Sequence, residues 1–238
     1  MSGLIAVPCR PDQARHVAFY RSLLALEVPP GTRQELYPGF FSHNNKNAAV
    51  RQALDEDRPW IFFVDDDQIL KPDALHRLLA HDVDIVSCNL LTKDPPFQPY
   101  LFFATDATGA GYPDTLDHRC GLVEVAACGM GGVLVKTDVF RRLSDPWFAV
   151  NEHLDTDDLY FCHEAQQAGI RIWCDLDVPS GHIQVISVWP VWDGEKSRWH
   201  TEIVFNDAAK FQVPAAGQTP EYRAWKEAQV QARETVKV

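Results

Sequence analysis

Short apolar runs alternate with segments of helical period along much of the chain. Leu4 to Val7 reads as a short strand, and Ala14, Val17, Phe19 and Leu23, after Pro11-Asp12, fall on one face of a helix. Asn44 or Asn45 can cap a second helix through Ala48, Ala49 and Leu54. Trp60-Ile-Phe-Phe-Val64 is continuously apolar and rich in aromatic and β-branched residues, the pattern of a strand covered on both faces. Pro72 suits the first turn of a helix whose buried side is Leu75, Leu78 and Leu79, and Val83 to Ser87 is a further strand. Gly121 to Ala127 and Val133 to Val135 read as strands, a helix starts near Thr137, and Asp157 to Ala168 is a helix closed by Gly169 before a strand at Ile170 to Cys174. Strands alternating with helices predict an α/β fold with a mostly parallel sheet flanked by helices. Residues 92 to 118, rich in proline, glycine and aromatics, predict a loop with one edge strand, and a polar helix is expected from about Thr219.

The chain has 238 residues, enough for one large α/β domain or two small ones, and its 46% hydrophobic and 23% charged content is that of a globular protein. No apolar run is long enough to span a bilayer, and Met1 to Pro8 lacks the basic leader of a signal peptide. The cysteines at 9, 88, 120, 128, 162 and 174 form no Cys-x-x-Cys pair, which suits reduced, mostly buried thiols in a cytoplasmic protein better than a disulfide framework or a zinc site. A net charge of -11 disfavours non-specific attraction to nucleic acid or anionic lipid.

Four features carry chemistry. Asp65-Asp66-Asp67 stacks like charges at the end of a buried strand, where open α/β sheets bind ligands and where a cation or strong hydrogen bonds must compensate. Gly129-Met130-Gly131-Gly132 allows close backbone approach. Asp157-Asp158 opens a helix, and His182 follows a Pro179-Ser180-Gly181 turn. Taken singly each is as readily structural. A haloacid-dehalogenase pattern fails at Ile69, and an EF-hand fails at Leu70 and His76.

In this order, Phe62-Phe-Val-Asp65-Asp66-Asp67, Cys128-Gly-Met-Gly-Gly-Val-Leu-Val-Lys136, Asp157-Asp158-Leu-Tyr-Phe-Cys162 and Gly169-Ile-Arg-Ile-Trp-Cys-Asp175 leading to Gly181-His182 resemble GT-A-fold glycosyltransferases, most of all the family 2-like bacterial and phage members. Ile5-Ala-Val-Pro8 and Lys46-Asn47-Ala-Ala-Val-Arg51 also fit. The resemblance implies a GT-A, Rossmann-like domain over residues 1–184, with residues 185–238 as an extension packed on it. It implies transfer from a nucleotide-sugar donor, a UDP-sugar first of all, to an acceptor hydroxyl, with inversion. It further implies a Mn2+ or Mg2+ cofactor on Asp65, Asp67 and His182, donor contacts from Pro8, Arg10, Asn47, Arg51, Asp65 and Asp66, and acceptor-side backbone at Gly129, Met130 and Gly131. Asp158 matches the family's base, with Asp157 its nearest rival and Asp155 close by. Lys93, Arg198 and His200 are candidates for the diphosphate, and Trp189, Trp192 and Trp199 either stack on sugars or are buried. The implied location is the cytoplasm, including a host's cytoplasm for a phage-encoded enzyme. The acceptor is left open among glycan, lipid-linked sugar, protein and modified nucleic acid. A non-catalytic nucleotide-sugar or glycan-binding protein on the same fold is the competing expectation.

Overall fold

The computed structural model describes residues 2–93, 97–105, 107, 120–151, 153–154, 156–195, 198–205 and 209–213. Asp155 and the helix expected from Thr219 lie outside the described residues, as does most of the loop expected between 92 and 118. The order is β1 (Leu4–Cys9), α1 (Val17–Ala25), β2 (Arg33–Pro38), α2 (Ser42–Asp55), β3 (Trp60–Val64), β4 (Gln68–Ile69), α3 (Ala74–Ala80), β5 (Ile85–Asn89) and β6 (Leu101–Phe102). It continues with β7 (Leu122–Val125), β8 (Ala127–Cys128), β9 (Gly132–Lys136), α4 (Thr137–Arg142), α5 (Asp157–Gln167), β10 (Ile172–Pro179) and β11 (Gly181–His182). Three strands follow, β12 (Ile186–Asp193), β13 (Arg198–Phe205) and β14 (Ala209–Val213).

Seven strands form the main sheet in the order β2-β1-β3-β9-β5-β10-β7. Strands β2, β1, β3, β5 and β10 run one way; β9 and β7 run against them. The sheet is thus mostly parallel and flanked by helices, Rossmann-like as the alternation of elements predicts. Its strands feed two cores by simple alternation. Leu4, Ala6, Ile61 and Phe63 face a cluster with Val50 of α2, Phe140 of α4 and Phe161 of α5. Ile5, Val7, Phe62 and Val64 face the opposite cluster, with Phe19 of α1 and Leu75 and Leu78 of α3. Both faces are covered, so Trp60 to Val64 has no polar interruption.

Helix boundaries depart from the sequence reading where side chains have other work. α1 begins at Val17, not near Pro11, because His16 caps it through Nδ1, which accepts the Ala18 N–H at 3.1 Å. Neither Asn44 nor Asn45 caps α2: Phe41 holds that position, and Asn45 donates to the carbonyls of Cys9 and Gly39. Gly169 closes α5 as expected, with φ of +71°, a conformation glycine adopts without strain.

The chain divides into two compact units, Met1–Ile183 and Gln184–Val238. In the second, β12, β13 and β14 form an antiparallel sheet that no strong period in the sequence announces. All six cysteines are free; five are buried and Cys120 is exposed. Among the described residues no helix is long and apolar enough to cross a membrane.

Asn47 locks α2 to the segment before α5. Its Nδ2 donates to the Phe148 carbonyl at 2.8 Å, and its Oδ1 accepts the N–H groups of Trp147 and Phe148, each at 3.1 Å. Asn47→Ala strips partners from these buried backbone groups and is expected to destabilise the fold by roughly 2–4 kcal/mol. A fall in the urea midpoint at unchanged slope is the readout; an unaltered midpoint contradicts the lock.

Candidate active site at the carboxyl edge of the sheet

From β1 the chain steps to β2 on one side and then to β3 on the other, so the strand order reverses beside β1. Doubly wound sheets open a crevice at such a point, beyond the carboxyl ends of the strands. A cleft of about 280 Å³ lies there, lined by Pro8 and Arg10 at the end of β1, Gly39 and Phe40 after β2, and Asp65, Asp66 and Asp67 after β3. Of the expected donor contacts, Pro8, Arg10, Asp65 and Asp66 meet in this cleft.

Asn47 and Arg51 do not join them. Each helical residue turns the side chain by about 100°, so Asn47, one position past Lys46, is used up on the backbone of Trp147 and Phe148. Arg51, one turn further on, makes an exposed bidentate pair with Asp145 at 2.8 and 3.2 Å.

The three aspartates diverge to separate cations. Asp66 Oδ2 sits 3.1 Å from Arg15 Nε, an ion pair without hydrogen-bond alignment, and burial still raises its pKa because it outweighs Arg15. Asp67 Oδ2 lies 2.5 Å from Lys93 Nζ and 3.3 Å from His182 Nε2. Burial opposes the charge of Asp67, but the hydrogen bonds from His182 and Lys93 prevail and hold it at about 2. Asp65 turns toward the glycine turn, where a side chain on Gly131 would come within 3.2 Å of its Oδ2. Burial pushes its pKa up to about 7 despite the attraction of Lys46, and Asp158, Asp67 and Asp157 add to the rise.

His182 reaches this edge through a minimal ladder. β11 pairs antiparallel with β4, Gly181 opposite Ile69 and His182 opposite Gln68, and the Ile183 N–H donates to the Asp67 carbonyl at 2.8 Å. Beneath the ladder, buried Gln68 accepts from the Ser180 hydroxyl at 2.6 Å. His182 Nδ1 is 3.0 Å from the Leu91 carbonyl. Burial opposes the protonated imidazole, but the bonds to Asp67 and to the Leu91 carbonyl prevail and raise its pKa, so the imidazolium donates through both nitrogens; once it loses a proton and keeps the bond to Leu91, Nε2 presents a lone pair toward Asp67. An oxygen and a nitrogen donor thus face each other, a pair whose chemistry fits a divalent cation. Asp65 does not complete a trio: among the described residues no group of three His, Cys, Asp or Glu side chains could hold a metal ion.

The acidic pair opens α5. Thr156 caps the helix by accepting the Leu159 N–H, and both acids sit in its first turn, favoured by the helix dipole. Asp158 Oδ2 accepts the Met130 N–H at 3.0 Å, and Oδ1 lies 2.5 Å from Lys46 Nζ. Asp157 Oδ2 is 3.1 Å from the same ammonium, out of hydrogen-bond alignment. Burial, outweighing Lys46, leaves Asp158 more basic than an ordinary aspartate. Lys46 itself is 2% exposed; Asp158 and Asp157 overcome the penalty of burial and keep it protonated.

The glycine turn is packed by groups of the protein itself. A side chain on Gly129 would collide with the Tyr100 ring at 2.2 Å, so its bareness makes room for the protein's own aromatic group. Gly129, Met130 and Gly131, the backbone expected on the acceptor side, are all buried, and the Met130 N–H is given to Asp158. Lys93 of the proposed diphosphate candidates reaches the site, through Asp67. His200 belongs to the second unit, as do Trp189 and Trp192, which are exposed, while the side chains of Arg198 and Trp199 lie outside the description. The groups that sequence reasoning passed over are Lys46, Arg15 and Gln68. Lys46 stood inside a quoted motif, and a charged residue within an apolar helical face is the signal that marks it.

No family model matches the chain, and no curated protein matches it in sequence. Among solved structures, A197 from STIV is similar over 90% of this chain and 95% of its own length, with a TM-score of 0.55 and 13% identity. At that identity the likeness is one of fold.

A carboxyl group with a raised folded-state pKa holds its proton longer in the native state, so its contribution to stability falls as pH rises from the unfolded value near 3.8 toward about 7. Asp65→Asn, which carries no charge, is therefore expected to be more stable than wild type at pH 7.5, by roughly 1–3 kcal/mol since water reaches part of the side chain, and to lose that advantage by about pH 4. Denaturation of both proteins across that range checks the sign; a variant less stable at pH 7.5 contradicts it.

Proposed function

We propose that this protein is a metal-assisted glycosyltransferase that moves a sugar from a nucleotide-sugar donor, taken to be a UDP-sugar, to an acceptor hydroxyl with inversion. The observation that supports the reading most is the β4–β11 pairing, which brings His182 Nε2 to 3.3 Å from Asp67 Oδ2 at the mouth of the cleft where β1 and β3 end. In this reading the nucleotide occupies the cleft beside Pro8, Arg10, Asp65 and Asp66. Asp67 and His182 would hold a manganese or magnesium ion, which when bound would offset the charge of the donor diphosphate.

Asp158 takes the proton of the acceptor hydroxyl as that oxygen forms its bond to the anomeric carbon. The bond from that carbon to the diphosphate oxygen breaks, and its electron pair leaves with the nucleoside diphosphate. Burial suits Asp158 to this work by making it more basic than an exposed aspartate. Arg15, engaged with Asp66, and Lys93, engaged with Asp67, are the cations at hand to face the departing phosphates.

One observation favours a second reading, a nucleotide-sugar or glycan-binding protein that does not catalyse transfer. Both oxygens of Asp158 already have partners, Lys46 and the Met130 N–H.

Calorimetry and product analysis separate the two. UDP is expected to bind more tightly with manganese than without it, and Asp67→Asn to lose that enhancement while keeping its fold; equal metal dependence in the variant sinks the assignment of Asp67. Asp158→Asn is expected to lower turnover by ~10²–10⁴-fold with UDP affinity nearly unchanged. Proton magnetic resonance of the product should show an inverted anomeric centre, whereas UDP binding without any donor turnover favours the binding protein.

A further inference from the structure

We infer that Lys46 is a positioning residue for the proposed base: it fixes the Asp158 carboxylate in the one orientation from which an acceptor proton can be taken. The inference rests on the transferase reading of the site.

Its starting point is the cost of placing an ammonium group where Lys46 stands. The side chain is 2% exposed, and a buried charge is costly unless tightly paired. For stability alone an apolar side chain of the same length would serve, because buried ion pairs seldom repay their desolvation. Lys46 instead faces Asp65, Asp157 and Asp158, with Nζ 2.5 Å from Asp158 Oδ1, 3.1 Å from Asp157 Oδ2 and 5.6 Å from the centroid of the Phe148 ring. That ring is itself wedged in the core, stacked on Phe161 at 4.8 Å and edge-on to Phe63 at 5.4 Å. The lysine is therefore anchored from below by α2 and the aromatic cluster, and from the side by Asn47, whose bonds to the backbone of Trp147 and Phe148 fix the same stretch.

The geometry at Asp158 gives the anchoring its purpose. A carboxylate held through one oxygen can still rotate about its last carbon–carbon bond. Asp158 is held through both, Oδ1 by Lys46 and Oδ2 by the Met130 N–H, so its plane is fixed against α2 on one side and the glycine turn on the other. Each carboxylate oxygen has two lone pairs, so Oδ2 keeps one beyond the bond to Met130. Positioning of this kind raises turnover without contributing to nucleotide affinity, because the cleft residues that meet the nucleotide lie at the ends of β1, β2 and β3.

Lys46→Met and Lys46→Gln test the inference, using release of UDP from UDP-glucose, UDP-galactose and UDP-N-acetylglucosamine with manganese, and calorimetry with UDP. Lys46→Met is expected to lower kcat by ~10²-fold with UDP affinity within about threefold of wild type, and the Met130 amide to exchange its hydrogen faster than its neighbours do. Lys46→Gln, which can still donate to Asp158, carries the same test if the methionine variant fails to fold; a loss of about tenfold in kcat alone is expected. Wild-type kcat in either folded variant, or an equal loss of UDP affinity and turnover, overturns the positioning role. A wild-type protein that releases UDP from none of the donors overturns the transferase reading itself, and this inference with it.

Discussion

The constraint on which the rest of the site depends is electrostatic: three consecutive carboxylates at the end of one buried strand cannot share a direction. They repel, and half-buried charges of one sign demand separate compensation. The fold answers by sending Asp65 toward the Lys46 cluster, Asp66 toward Arg15 and Asp67 toward Lys93 and His182. Each partner comes from a different part of the chain: α2, the approach to α1, the segment after β5, and β11. The triplet thereby ties four regions to the tip of β3.

The compensation is uneven. Asp67 is comfortably ionised, whereas Asp65 is held against its preference by burial and by neighbouring carboxylates. The local strain is tolerable because β3 is the middle of two cores. Phe62 and Val64 are buried on one face, Ile61 and Phe63 on the other. A strand so fully packed can carry an unfavourable charge at its end, where a marginal edge strand would fray.

Much of this was legible from residue order. The unbroken Trp60 to Val64 run betrayed a strand with two covered faces, and the aspartates, the Asp157-Asp158 helix start and Gly169 were where their patterns placed them. What escaped was whatever depended on rotation about a helix or on distant pairing. Only its place on the Ala49, Val50 and Ala53 face of α2 separates Lys46, which turns into the core, from Arg51, which turns out to Asp145. β2 escaped because its residues are mostly exposed, with Tyr37 alone buried, and it is recruited by its parallel pairing with β1. The glycine turn does allow close approach, but at Gly129 the group that approaches is Tyr100, from a segment with no regular period. Sequence patterns report local preference; the filling of a gap is decided by chains that arrive from elsewhere.

The two-residue ladder between β4 and β11 has a consequence for how this protein can vary. Successive residues of a strand point to opposite faces, so sliding β11 by a single position would exchange His182 for Gly181 or Ile183 opposite Gln68 and turn the imidazole away from Asp67. The turn Pro179–Gly181 is thus a ruler. Changes of side chain there leave the imidazole in phase, whereas adding or removing one residue does not, and chain length at this point is more tightly bound than chain composition.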